Sequence, residues 1–198
     1  MNGSPLPVKH GFPVRVIVPG APGARSVKWL DLVTVADKES PSFYQQRDYK
    51  ILPADAVDSK SAAKYWSTTP AMLDMPINSC VARPASDSIV KTNAGGYVEV
   101  RGYAVPQGDQ GPVVHVQVSG DEGQSWVDAE IDNGGEAGSK WSWVLWRAQV
   151  KLEKGKGKKI FSKATDKGGN TQDKERSTWN LRGVAYNGYE AVIGLEVV

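Results

Sequence analysis

Six short apolar or alternating runs, the Gly, Asp, Asn and Pro turns between them, and the lack of any amphipathic helical pattern predict a mainly β chain that ends in a β-sandwich. The runs cover residues 97–105, 112–119, 125–131, 140–150, 158–164 and 191–198. They place the sandwich at 71–198, after a Pro- and Gly-rich opening at 1–36 and a polar connector at 37–70. A chain of 198 residues, 40% of them hydrophobic, is long enough for one sizeable core. Cys80 is the sole cysteine, so the architecture is immunoglobulin-like without an intrachain disulfide. With 24 basic against 22 acidic residues the charge is nearly balanced, which speaks against a nucleic-acid partner. No run approaches the ~18–20 apolar residues of a membrane span, and no signal peptide opens the chain, so a soluble protein without a readable address is expected. The terminal Leu195-Glu196-Val197-Val198 is not a peroxisomal tripeptide.

Taken in order, the opening stretch carries Pro or Gly at positions 3, 5, 7, 11, 13, 19, 20, 22 and 23. These forbid a helix and force tight turns, whose unpaired backbone N–H groups are free to face an anion. Arg15 can grip a phosphate or carboxylate bidentately, Lys28 adds a point charge, and His10 can donate or accept a hydrogen bond. The same residues also read as ordinary surface cations of a loop. Residues 13–18 and 27–36 are apolar or alternating with β-branched members, and read as two strands. The connector then runs polar and irregular, and Tyr49 within its QQRDYK reads as a surface ring or a local packing anchor.

In the sandwich, Trp141, Trp143 and Leu145 share one face of a strand whose other face holds Ser142, Val144 and Trp146. A strand apolar on both faces sits between a core and a second surface, either a partner subunit or the chain's own connector. Asp121, Glu122 and Asp128 lack the ligand series of an EF-hand and read as hairpin turn chemistry, with Trp126 packed inward. The stretch from Lys151 to Ile160 is a solvated basic hairpin without Walker spacing. Cys80 reads as a small buried hydrophobe. Arg182 follows Trp179-Asn180-Leu181, read as a strand, and precedes Gly183, where a tight turn carries its guanidinium to a domain edge.

The run MNGSPLPVKHGFPVRVIVPG, followed by GARSVKWL, resembles the last part of the molybdenum-cofactor domain of eukaryotic sulfite oxidases and assimilatory nitrate reductases. The likeness continues in order through RDYK, GQSW, KWSWVLW and WNLRG, and so covers nearly the whole chain. It implies that His10, Arg15, Ser26, Val27 and Lys28 hold the pyranopterin and its phosphate. It places Tyr49 beside the molybdenum centre, assisting proton-coupled electron transfer, and gives Arg182 the sulfite anion. Nitrate reductases typically carry Asn and Met at these two positions, so Tyr49 and Arg182 together favour the sulfite oxidase branch.

The resemblance further implies an α+β remnant of the molybdopterin-binding domain at 1–36, a connector with Tyr49 at 37–70 and a dimerisation domain at 71–198. Oxygen-atom transfer from a Mo-molybdopterin cofactor to sulfite follows, in a homodimer that passes electrons to cytochrome c or oxygen. The compartments it suggests are the mitochondrial intermembrane space, the cytoplasm or the peroxisome. In this family the molybdenum-ligating cysteine lies upstream, in a part absent here, so Cys80 is rejected as a metal ligand. The isolated chain is expected to fold from about residue 71, to dimerise and to lose the cofactor. Two other readings stand beside this one: a fragment of an assimilatory nitrate reductase, or a stand-alone assembly module without catalysis.

Overall fold

The structure is a computed structural model that describes residues 3–132, 139–173 and 180–198, the side chains of Glu190 and Ala191 excepted. It divides into two compact units, the described parts of Met1–Met75 with Trp179–Ala185 and of Pro76–Thr178 with Tyr186–Val198.

The second unit is the expected sandwich. One sheet has the order β1 (Asn78–Arg83), β3 (Tyr97–Val105), β7 (Val144–Lys151), β6 (Glu130–Asp132). The other runs β2 (Ile89–Val90), β9 (Glu190–Val197), β8 (Gly155–Asp166), β4 (Val113–Ser119), β5 (Val127–Asp128). All pairings are antiparallel except β2 with β9. Period-two burial creates the core: Val144, Trp146, Ala148 and Val150 of β7 point inward and alternate with exposed neighbours. Val98, Val100 and Ala104 of β3 join them, facing Val116 and Val118 of β4 and Ile160 and Ala164 of β8. Gly102 pairs with Trp146 across the ladder and leaves room for its indole.

Few polar groups enter this core: the Trp146 indole N–H is buried without a partner among the described residues, and the buried hydroxyl, amide and carboxylate groups are bonded. Ser79 Oγ donates to Ser162 Oγ at 3.1 Å between the two sheets. Gln172, buried, accepts from Ala164 N at 3.1 Å and donates to Asn78 Oδ1 and Gly188 O. Asp166 accepts from the backbone N–H groups of Gln107 and Asn170, both at 3.0 Å. Such full satisfaction is what makes a buried amide or carboxylate tolerable.

Several local expectations are corrected. The run 125–131 is two strands, because the chain leaves one sheet at Ala129, whose N–H donates to Val116 O at 2.8 Å, and enters the other. The strand read from 140 starts at Val144, after a turn closed by Ser142 N to Ser139 O at 2.9 Å. Trp126 is only half-buried, edge-on to Tyr189 and under the Lys163 ammonium at 4.1 Å, so its indole stays near the surface. Cys80 on β1 is likewise half-buried rather than in the core. In the other unit neither 13–18 nor 27–36 is a strand. Val14, Val18, Leu32, Val33 and Val35 remain exposed, and a left-handed Trp29 (φ +51°) interrupts the second run, so alternation there has no surface to pack on.

The Ser119–Ser125 loop is built on Asp121. Its carboxylate accepts from Ser125 Oγ (2.5 Å), Ser125 N (2.9 Å) and Ser119 Oγ (2.7 Å). These bonds, those from Ser125 foremost, hold its carboxyl down from 3.8 to about 2. A depressed carboxylate stabilises the fold above its unfolded value and loses that contribution as the pH falls through its folded one. Asp121→Asn is therefore expected to cost about 1 kcal/mol at pH 7. In paired urea titrations the gap between variant and parent should close between about pH 4 and 2. A gap of constant size over that window would assign the loop's order to the serines instead.

Candidate functional site

The unit formed by Met1–Met75 and Trp179–Ala185 has a small core of its own, Leu52, Ala56 and Ala62 with Tyr65, Trp66 and Leu181 packed against it. The helix α2 (Ser59–Ala62) starts on a reciprocal capping box, Asp58 accepting from Ser61 N at 2.7 Å and Ser61 Oγ bonding Asp58 N. Lys50 is buried and donates to Trp66 O at 2.7 Å, which ties the end of the RDYK segment to this core.

Gly11 brings the two halves of the opening segment together. It ends a 3-10 turn, Val8–His10, in a left-handed conformation (φ +110°), and a Cβ there would lie 2.9 Å from Lys28 Cβ. Residues 8–16 thereby meet residues 26–30. Lys28 Nζ donates to Lys9 O at 3.1 Å and Trp29 Nε1 to Val8 O at 2.9 Å. Arg15 donates through Nε to Ser26 O at 3.1 Å and reaches His10 O at 3.4 Å, while Ser26 Oγ accepts from Val18 N at 3.2 Å. Two further backbone bonds, Val16 N to Val27 O and Leu30 N to Val14 O, complete the pairing. His10, Arg15, Ser26, Val27 and Lys28 are thus one constellation. His10 and Val27 are exposed, the other three half-buried.

A second group forms around residues 47–49. Arg182 ion-pairs with Asp48, their side chains 38% and 17% exposed. The turn that presents Arg182 is set by Asn180, whose amide oxygen accepts from Arg182 N and Val184 N, both at 3.2 Å. Gly183 N closes it on Asn180 O at 2.9 Å, with φ +62° at Gly183. The expected turn at Gly183 is present, but Asn180 and Leu181 are not strand, since the Asn180 side chain takes the backbone bonds a ladder would need; Trp179 lies outside the described residues. Tyr49 follows Asp48 directly, so the carboxylate that receives Arg182 adjoins the phenol-bearing residue.

Two residues of this site were not singled out from sequence. Asp48 stood in a quoted motif as a mere neighbour of Tyr49, and its partner is far along the chain. Arg25 ends the 3-10 turn Gly23–Arg25 and lies with its guanidinium carbon 5.8 Å from the Tyr49 ring centroid. It bonds Gln45 Oε1 and, at 3.2 Å, Met72 O. Gln45 in turn donates to Glu39 at 2.6 Å, and bonds from Gln45 and then Gln46 hold the Glu39 carboxyl below its ordinary value. Among the described residues, no carboxylate pairs with Arg15, Arg25 or Lys28, and Arg25 Nε is buried without an acceptor. Cations without a directly paired carboxylate, beside a spare N–H donor, suit an anionic ligand with phosphate-like oxygens. Among the same residues no three His, Cys, Asp or Glu side chains converge as a metal site, and no helix is long and apolar enough to cross a membrane.

Residues 69–193 match the Mo-co oxidoreductase dimerisation domain, and residues 1–44 the oxidoreductase molybdopterin binding domain. The chain is 41% identical over 97% of its length to mitochondrial sulfite oxidase of Mus musculus, covering 34% of that protein. It is 36% identical over 91% of its length to an NADH nitrate reductase of Volvox carteri, covering 21% of it. The chain therefore spans about a third or less of these relatives. Its fold is shared with the sulfane dehydrogenase SoxCD from Paracoccus pantotrophus, at a TM-score of 0.72 and 24% identity over 96% of this chain and 46% of that one.

Proposed function

Since the chain belongs to the Mo-co oxidoreductase dimerisation-domain family, with a molybdopterin-binding segment ahead of that domain, we propose that it is the C-terminal part of a molybdenum-dependent sulfite oxidase. The observation that carries this reading is the Arg182–Asp48 pair next to Tyr49. It joins the two positions at which the sulfite and nitrate branches differ by resemblance, although they lie far apart in the chain. Sulfite oxidases also lead the curated relatives, ahead of nitrate reductase.

The residues present fit a phosphate-bearing pterin. Among the described residues Arg15 and Lys28 pair with no carboxylate and hydrogen-bond only to carbonyls, Lys28 also lying 4.5 Å from the Trp29 ring centroid, and the buried Arg25 Nε–H is an unused donor. His10, Arg15, Ser26, Val27 and Lys28 would hold the cofactor, which when bound supplies oxygen-atom transfer to sulfite. Arg182 attracts and orients the sulfite oxyanion, with Asp48 fixing its direction, and Tyr49 handles the proton that accompanies electron transfer. In domain terms, 1–36 serves the cofactor, 37–70 delivers Tyr49, and 71–198 assembles. The acceptor expected by resemblance is cytochrome c or oxygen. The mitochondrial names of the animal relatives favour that organelle among the suggested compartments.

The experiment is molybdenum analysis and sulfite-dependent electron transfer on the 198-residue chain, beside a form extended upstream from its genomic context. Sulfite oxidation by the extended form supports the reading. Nitrate reduction in its place would move the chain to the other branch, and neither activity would leave an assembly module.

The outer face of the β1–β3–β7–β6 sheet supports a homodimer. Trp143 and Leu145 are each 63% exposed, and Trp143 stacks on Tyr103 at 5.0 Å. Paired charges frame them, Arg147 gripping Glu130 at 2.9 and 3.0 Å and Arg101 bonding Glu99 at 2.7 Å. An apolar centre with both signs of charge at its rim can meet its own copy about a two-fold axis. Replacing Trp143 and Leu145 together by Glu and Lys is expected to weaken dimerisation by about 30-fold or more. Sedimentation velocity reads this directly, and a double variant as dimeric as the parent would move the interface elsewhere.

A further inference from the structure

We propose that Arg25 is a positioning residue that fixes Tyr49 relative to the segment carrying Ser26, Val27 and Lys28. The inference rests on the role given to Tyr49 above, and takes it from a single ring to the device that aims it.

Tyr49 needs such a device. Its φ of +49° is left-handed, a conformation that a bulky L-residue keeps only where its surroundings over-determine it. Arg25 supplies three points of contact around it. Its NH2 group donates to Met72 O at 3.2 Å, and Met72 returns its own N–H to Tyr49 O at 2.7 Å, so the arginine grips the residue that grips the tyrosine backbone. Its NH1 group bonds Gln45 Oε1, in the short helix α1 (Phe43–Gln46) just ahead of the RDYK segment. Its guanidinium carbon stands 5.8 Å from the ring centroid, within reach of a cation–π contact. A lysine ammonium has no planar fork with which to serve Gln45, Met72 and the ring at once.

The other end of Arg25 is anchored covalently in the anion-holding segment. Ser26 follows it, donating its N–H to Gly23 O at 3.1 Å, and accepts from Val18 N and Arg15 Nε. One side chain therefore sets the register between Tyr49 and residues 26–28. A role in stability alone is a poor fit, because the buried Nε–H lacks an acceptor among protein atoms, and an unpaired buried donor subtracts from stability. Among the described residues no carboxylate forms an ion pair with the guanidinium, which lies over the Tyr49 ring.

The test uses the upstream-extended protein labelled with 3-fluorotyrosine and kept free of sulfite, so that the readout does not depend on sulfite chemistry. The Tyr49 fluorine resonance, assigned by its loss in Tyr49→Phe, is expected to shift and broaden in Arg25→Met and to recover part-way in Arg25→Lys. Tyr97, Tyr103 and Tyr189 of the sandwich and Tyr65 of the small core should hold their positions. An unmoved Tyr49 resonance in Arg25→Met overturns the proposal. So does collapse of Tyr65 together with Tyr49, which would make Arg25 a general support of the unit. In the extended, cofactor-loaded protein, Arg25→Met should lower kcat on the order of 100-fold with KM little changed and a displaced pH optimum. If the parent form of that protein does not oxidise sulfite, the functional reading fails while the fluorine result stands or falls independently.

Discussion

Gly102→Ala is expected to destabilise the sandwich by about 3 kcal/mol or more, lowering Tm on the order of 10 °C. The added Cβ would fall onto the Cys80 carbonyl oxygen and Trp146 Cζ2, and lie 2.6 Å from Trp146 Cε2. Neither side can yield cheaply. Cys80 O belongs to the backbone of β1, which β3 pairs with on one side, and Trp146 is a fully packed member of β7 on the other. Against a total stability of roughly 5–15 kcal/mol, a loss of this size would leave the unit marginal. Calorimetry on the variant gives the number, and a double-mutant cycle with Trp146→Leu gives its cause. If the smaller side chain restores part of the loss, the clash with the indole is established. Purely additive losses would assign the glycine to backbone needs instead.

Arg182→Met should act on function and spare the fold. In the upstream-extended protein, kcat/KM for sulfite is expected to fall by about 30- to 1000-fold, the equivalent of ~2–4 kcal/mol of lost oxyanion binding. The stability change should be small, because the guanidinium is 38% exposed and a pair of that exposure contributes little in water. Asp48, at 17% exposed, is left without its partner, and Asp48→Asn in the Arg182→Met background should recover any stability lost without recovering turnover. Steady-state kinetics with sulfite and a parallel nitrate assay check the prediction. An unchanged kcat/KM would remove Arg182 from the substrate side and leave the pair with Asp48 a structural one.

The sandwich was legible wherever a strand alternates. Val144, Trp146, Ala148 and Val150 can be assigned to one face from their spacing, and so can the outward set that begins at Trp141. The strand β1 was missed, since Asn78 to Arg83 is short, carries Ser79 and Cys80, and shows no apolar alternation until its partner β3 is known. The site was legible as residue types in a recognisable order. Arg25 and Asp48 were not, because an arginine or aspartate in a loop has no local pattern that tells a solvated side chain from one bonded to residues 47 or 134 positions away.

Read alone, the sequence marks residues 71–198 as mainly β and names the candidates His10, Arg15, Ser26, Val27, Lys28, Tyr49 and Arg182. Both follow from short-range properties, a two-residue period and the order of side-chain chemistries along the chain. Only the tertiary structure decided that residues 125–131 divide between two sheets, that 13–18 and 27–36 form no strand, and that Arg25 stands over Tyr49. Each of these depends on which distant backbone or ring supplies the missing partner. Hydrogen bonding and burial are settled by the pair, and no single segment carries both halves of it.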